Sequence, residues 1–226
     1  MTRTPWLAAA ALCALAAAAP AQSLARLDGR LNGRLDSATA VQVEAIADTA
    51  RAAGLPAEPL IDKALEGVSK HASAPRIVDA VRGLARRLAV ARAALGPDAS
   101  DADLLAGAGA LYEGVSSDDL TRLRGARAGQ SVALPLVVLA DLIERGVPAG
   151  TAIGIVLDVA RSGAGDDTFA AMRRDVEHDI RAGAPPAIAA STRARGAIYS
   201  RPSLPASSTA SGPTSTGQGL GPSKHP

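Results

Sequence analysis

The stretch PRIVDAVRGLARRLAVARAAL, residues 75–95, decides the fold class. Ile77, Val81, Leu84, Leu88, Ala91 and Leu95 recur at steps of four and three. That spacing stacks them on one side of an α-helix and does not fit the alternation of a strand. Pro75 suits the first turn, where a missing N–H costs nothing, and Gly96-Pro97 ends the helix. The polar face carries Arg82 and Arg86, with Arg76, Arg87 and Arg92 on its flanks and Asp79 in opposition. A basic stripe of this kind attracts anionic polymer, anionic lipid or an acidic partner, unless acids from neighbouring helices neutralise it.

The same period extends to both sides. Phe169, Met172, Val176 and Ile180 make one stripe of a helix between Asp166 and Ala182, closed by Gly183 and Pro185. Leu134 to Ile143 reads as apolar all round, which predicts a central helix forming a core hairpin with Ile153 to Val159. A recurrent punctuation joins such segments: Gly54-Leu55-Pro56, Gly114-Val115-Ser116, Gly146-Val147-Pro148 and Gly183-Ala184-Pro185. Glycine takes a left-handed conformation, the next residue packs back, and Pro or Ser opens the following helix. Ala53 to Leu65 also resembles Arg145 to Leu157, as a duplicated unit would, but the glycines are unevenly spaced and exclude a fixed repeat. The expected fold is all-α, a compact bundle or short irregular array of helix-turn-helix units over residues 36–196, followed by a disordered Ser/Pro/Gly/Thr-rich tail, 197–226, too poor in apolar residues to offset the entropy of ordering.

The opposite end reads as an export signal. Arg3 supplies a basic start, Trp6 to Ala19 is an uncharged run rich in Ala and Leu, and Ala19, Pro20 and Ala21 are small. This pattern predicts cleavage between Ala21 and Gln22 and a protein that works outside the cytoplasm, in the periplasm or secreted. The run is shorter than the roughly 20 residues of a membrane helix and ends at Pro20. Lipidation at Cys13 is disfavoured by the bulky Leu12 before it. Residues 22–35 form a polar lead-in with a short Arg-Leu-Asp/Asn-Gly echo. Cleavage removes the single Cys and single Trp, so thiol chemistry and disulfides are excluded from the mature chain. The whole chain counts 24 Lys and Arg against 22 Asp and Glu, and loss of Arg3 leaves it close to neutral.

No motif carries a reaction. His225 lies in the tail and His71 in a short loop, neither with a second His at helical spacing. His178 sits among Asp175, Glu177 and Asp179, but Arg174 and Arg181 share its face and would repel a cation. No metal and no cofactor is therefore expected. Gly129-Gln130-Ser131-Val132-Ala133 lacks the second glycine and the preceding strand of a nucleophile elbow, and places Ser131 near a helix start. No phosphate loop is present. Ser116 followed by Asp118 and Asp119, and Asp166-Asp167, fit helix N-termini with acids meeting the dipole. Aromatic residues are 2 % of the chain, too few for base stacking, and with an exported location this excludes nucleic acid as a partner. Glu144-Arg145, between two short apolar runs, argues against a membrane hairpin. The expected function is non-enzymatic: a binding or scaffold protein of the cell envelope, with an apolar groove or a protein partner. The alternatives are an envelope hydrolase using helix-borne carboxylates that converge in a cleft, and a binder of anionic envelope polymers or lipid through Arg82 and Arg86.

Overall fold

The computed structural model describes residues 30, 31 and 33–199. The predicted signal segment with Cys13 and the Ala21–Gln22 cleavage site lies outside the described residues, as does the tail beyond residue 199. Among the described residues there are nine α-helices and no strand. They are α1 (Ser37–Ala52), α2 (Glu58–Ser69), α3 (Ala74–Leu95), α4 (Asp101–Tyr112), α5 (Ser117–Ala126), α6 (Ala133–Glu144), α7 (Ala149–Arg161), α8 (Asp166–Arg181) and α9 (Pro186–Tyr199).

Local chemistry sets the helix ends. Asp36 caps α1 by accepting from the Thr39 N–H at 3.0 Å. Ser100 and Ser116 cap α4 and α5, each in a reciprocal box with the aspartate three residues on. At the other ends one device recurs. Gly54, Gly114, Gly146 and Gly183 all have positive φ. In each case the glycine N–H bonds three residues back and the next N–H five residues back, as Val147 does to the Leu142 carbonyl at 3.0 Å. These are the paired bonds of a Schellman motif, and its hydrophobic contact is present: Leu55, Val115 and Val147 are buried.

His71 occupies the same position after α2 with φ +52°, and the Ala72 N–H reaches back to Gly67. A residue with a Cβ is strained in that conformation by about 1 kcal/mol. His71→Gly is therefore expected to raise stability by up to about 1 kcal/mol in urea denaturation, with an unchanged helical spectrum. A loss of stability would mean that the imidazole makes a contact worth more than the strain.

The short links turn the chain into two layers. In the first layer α1 packs on α3, α3 on α5, α5 on α7 and α7 on α9. In the second, α4 packs on α6 and α6 on α8, while α2 closes the array against α1 and α3. Pairs such as α3–α4, α6–α7 and α8–α9 join the layers. This is a short irregular helical array, in which each unit buries its apolar stripe against its neighbours. Ile77, Val81, Leu88, Ala91 and Leu95 of α3 are buried, as their spacing predicts, and Phe169, Met172 and Val176 of α8 join the same core. Gly107 lets α4 approach, since a Cβ there would lie 3.1 Å from the Ala91 Cβ and 3.2 Å from Leu120 and Leu95 side-chain carbons.

Two features depart from the sequence reading. Helix α6 is not screened on all sides: Val137 is 40 % exposed and Asp141 faces Arg145 and Arg173. In a two-layer array a helix has neighbours beside and beneath it, but its outer face stays open. Within the polar lead-in, Leu31 is fully buried, and Arg30 reaches Glu58 at 2.6 Å and also contacts Asp62 of α2.

Candidate functional site

Helices α1 and α3, neighbours in the first layer, leave a groove of about 470 Å³ between them. Ala45, Ile46, Thr49, Ala50 and Ala53 form one wall and Arg82, Ala85, Arg86 and Ala89 the other, with Leu55 at one end. Thr49 is neutralised as a polar group because its hydroxyl donates to the Ala45 carbonyl at 2.8 Å. Among the described residues, Arg82 and Arg86 are thus the only charged ones lining this groove. The walls follow ridges of residues four apart: Ala45 and Thr49 on α1, continued by Ala53 at its C-cap, and the pairs Arg82–Arg86 and Ala85–Ala89 on α3.

The structure divides the five arginines of α3, with Arg76 exposed in the first turn and outside the groove lining. Arg82 contacts Asp79 at 3.0 Å, with both side chains largely in water. Arg86 is exposed and forms no ion pair among the described residues. Arg87 leaves for the other layer, where its guanidinium sits 5.0 Å from the Tyr112 ring centre. Arg92 is a structural staple: it donates to the carbonyls of Pro97 at 2.7 Å, Ala99 at 3.0 Å and Gly54 at 3.1 Å. Only Arg82 and Arg86 remain together at one surface feature.

The carboxylates of α6 and α8 are grouped, and arginines match them. Asp141 contacts Arg145 at 2.9 Å and Arg173 at 3.2 Å; Glu177 contacts Arg181 at 2.7 Å and the same Arg145 at 3.4 Å. Burial pushes Asp141 up, but the Arg145 hydrogen bond and the charges of Arg173 and Arg145 hold it below the ordinary carboxylate value. The Arg181 hydrogen bond lowers Glu177, and Arg193 lowers Asp179, which it grips with two bonds of 2.6 Å. A hydrolase working with two carboxyl groups needs one pushed up to serve as the acid. Every resolved carboxyl shift among the described residues is downward. The acids around His178 are those bound to Arg145, Arg181 and Arg193, and His178 itself is exposed. Among the described residues no three His, Cys, Asp or Glu side chains gather into a metal-binding group.

Two buried charged residues escaped the sequence reading. Asp103 and Arg127 are 3 % and 5 % exposed. Asp103 receives the Ser131 hydroxyl and the Val132 N–H, both at 2.8 Å. Arg127 donates to the carbonyls of Ser131 at 3.0 Å and Ala164 at 2.9 Å and to Asp166 at 2.6 Å. Ser131 is thereby held at the entry to α6, where its hydroxyl also accepts the Ala133 N–H at 3.2 Å. No histidine takes part, so the Ser131–Asp103 contact is a structural joint and not a nucleophile with its base. The capping aspartate three residues after Ser100 was the one local signal for Asp103; nothing local marks Arg127. No protein-family model, curated protein or solved structure matches the chain.

Proposed function

We propose that the protein is exported, processed between Ala21 and Gln22, and serves in the cell envelope as a non-enzymatic scaffold whose α1–α3 groove receives a partner protein. The observation that carries this reading is an open apolar groove edged by two arginines, while Asp141, Glu177 and Asp179 on the other layer are held by arginine. Stacked helix pairs commonly present extended surfaces to other proteins, and an exposed apolar strip with a polar rim marks such a surface. No helix among the described residues is long and apolar enough to cross a membrane.

The export step has a direct check. Protein recovered from the envelope or culture fluid should begin Gln22-Ser23-Leu24, and Ala19→Arg should leave a longer precursor in the cells. A chain that begins at Met1 and remains in the cytoplasm would remove the envelope from this reading. The groove is tested by a photoreactive residue at Ala89, compared with one at Asp158, which is exposed on α7. Ala89 should yield a discrete protein adduct that disappears when Arg82 and Arg86 are both changed to Glu, and Asp158 should not. The same adducts at both positions, or none at either, would contradict a dedicated groove.

A further inference from the structure

We infer that the groove's occupant is an amphipathic helix of a partner protein that carries two carboxylates one turn apart, set against Arg82 and Arg86. This rests on the scaffold reading above and specifies its ligand. Three features point to a helix. The two walls are i, i+4 ridges, the relief into which a ridge of another helix fits. Half of the groove side chains are alanine, at Ala45, Ala50, Ala53, Ala85 and Ala89, and small side chains let a helix backbone come close. Finally, the groove is open to solvent and not enclosed, which suits a rod laid into it better than a chain swallowed end-on.

Charge selects which helix. Arg82 and Arg86 stand four residues apart on α3, so their guanidiniums emerge about one turn, or roughly 6 Å, apart. Acids at i and i+4 on the occupant match that interval, while its leucines or alanines at i+3 and i+7 fill the floor. Arg86 has no ion pair to break among the described residues, and the Arg82–Asp79 contact lies in water, where it is worth little. Both arginines are therefore available to an incoming carboxylate at small cost.

The test uses the full processed protein and a displayed library of 16-residue helices with a fixed Leu/Ala stripe and two randomised positions one turn apart. The selected pool should be enriched in Asp and Glu at both positions. A synthetic peptide from that pool should bind roughly tenfold more tightly than its version with both acids changed to Lys, since attraction is exchanged for repulsion. With Arg82→Glu and Arg86→Glu together, the preference should invert, and the Lys peptide should bind the better. Melting curves of this variant should match the parent, because both side chains are exposed. A pool with no bias toward acids overturns the inference. So does binding to anionic phospholipid vesicles that depends on both arginines while no peptide is enriched, since the occupant would then be a lipid surface. A discrete adduct at Ala89 together with a charge-blind pool would sink this inference and spare the scaffold; acidic selection with no adduct from cells would overturn the scaffold and, with it, a partner protein as the occupant.

Discussion

Arg127→Ala is expected to destabilise the protein by about 3–5 kcal/mol, the usual loss when one side of a buried charged network is removed. In a domain of this size that lowers the melting temperature by roughly 10 °C. The side chain ends at three places: the loop before α6, the link between α7 and α8, and the first turn of α8. It also lies over the ring of Phe169, 5.4 Å from its centre. Truncation strands the Ser131 and Ala164 carbonyls and leaves a void beside the ring. Asp166 contributes less, because its side chain is 52 % exposed and water can take the place of the guanidinium. Asp166→Ala should therefore cost under about 1 kcal/mol, and combining it with Arg127→Ala should add little. Arg127→Met, which keeps bulk and loses the donors, separates the two contributions: its loss should stay above about 2 kcal/mol if the carbonyls dominate. Chemical denaturation of the four proteins measures all of this, and a cost below 1 kcal/mol for Arg127→Ala would show that water reaches the stranded carbonyls.

Asp103→Asn comes second, at about 2–3 kcal/mol. One carboxylate oxygen completes the cap of α4 by accepting from the Ser100 hydroxyl at 2.9 Å and its N–H at 3.2 Å. The other holds Ser131 and Val132 and so fixes where α6 begins. An amide presents N–H groups to one of these donor pairs, and no rotation satisfies both. Burial pushes Asp103 up, but hydrogen bonds from Ser131 and Ser100 and the N–H groups of Val132 and Ser100 outweigh it, leaving the group below its ordinary value of 3.8. A carboxyl lowered in the folded state contributes stability that is complete above the unfolded value and is lost as pH falls through the folded one. The gap between the parent and Asp103→Asn should therefore be constant from neutral pH down to about 5 and narrow below about 4. Urea curves at pH 7, 5 and 3 decide it; a gap that does not narrow would place the cost in geometry and not in charge.

Both effects concern the same joint. Asp103, Ser131, Arg127 and Asp166 form a continuous path from α4 through the loop before α6 to the start of α8. The 127–132 link is among the longer ones in the array and makes no Schellman turn with a packed apolar residue of the kind seen after Gly146. Polar side chains from distant elements do there what a buried Val147 does elsewhere.

The helical class, most helix ends and the placement of Arg82 and Arg86 on one face were legible in residues 36–196, because each depends on neighbours within about five positions. A glycine whose φ turns positive and a Val that packs back onto the preceding turn act inside one local window. Four-residue spacing puts Arg82 and Arg86 side by side whatever the rest of the chain does. The reading of α6 as buried all round went too far, since apolar periodicity shows which faces prefer to be covered and not how many neighbours arrive.

The pairing of helices was decided only when the elements met. Because α1 packs beside α3, two alanine-rich faces become the walls of one groove, and the arginines of α3 acquire an apolar floor supplied from a different helix and the turn after it. The same packing divides a basic stretch that reads as one stripe, sending Arg87 to Tyr112 and Arg92 to the carbonyls of two turns. Burial of Arg127 likewise requires Ala164 and Asp166 to come from beyond α7. Backbone preference acts over a few residues and is written along the chain, whereas desolvation and charge pairing depend on what lies across the gap, and that is set by the layers.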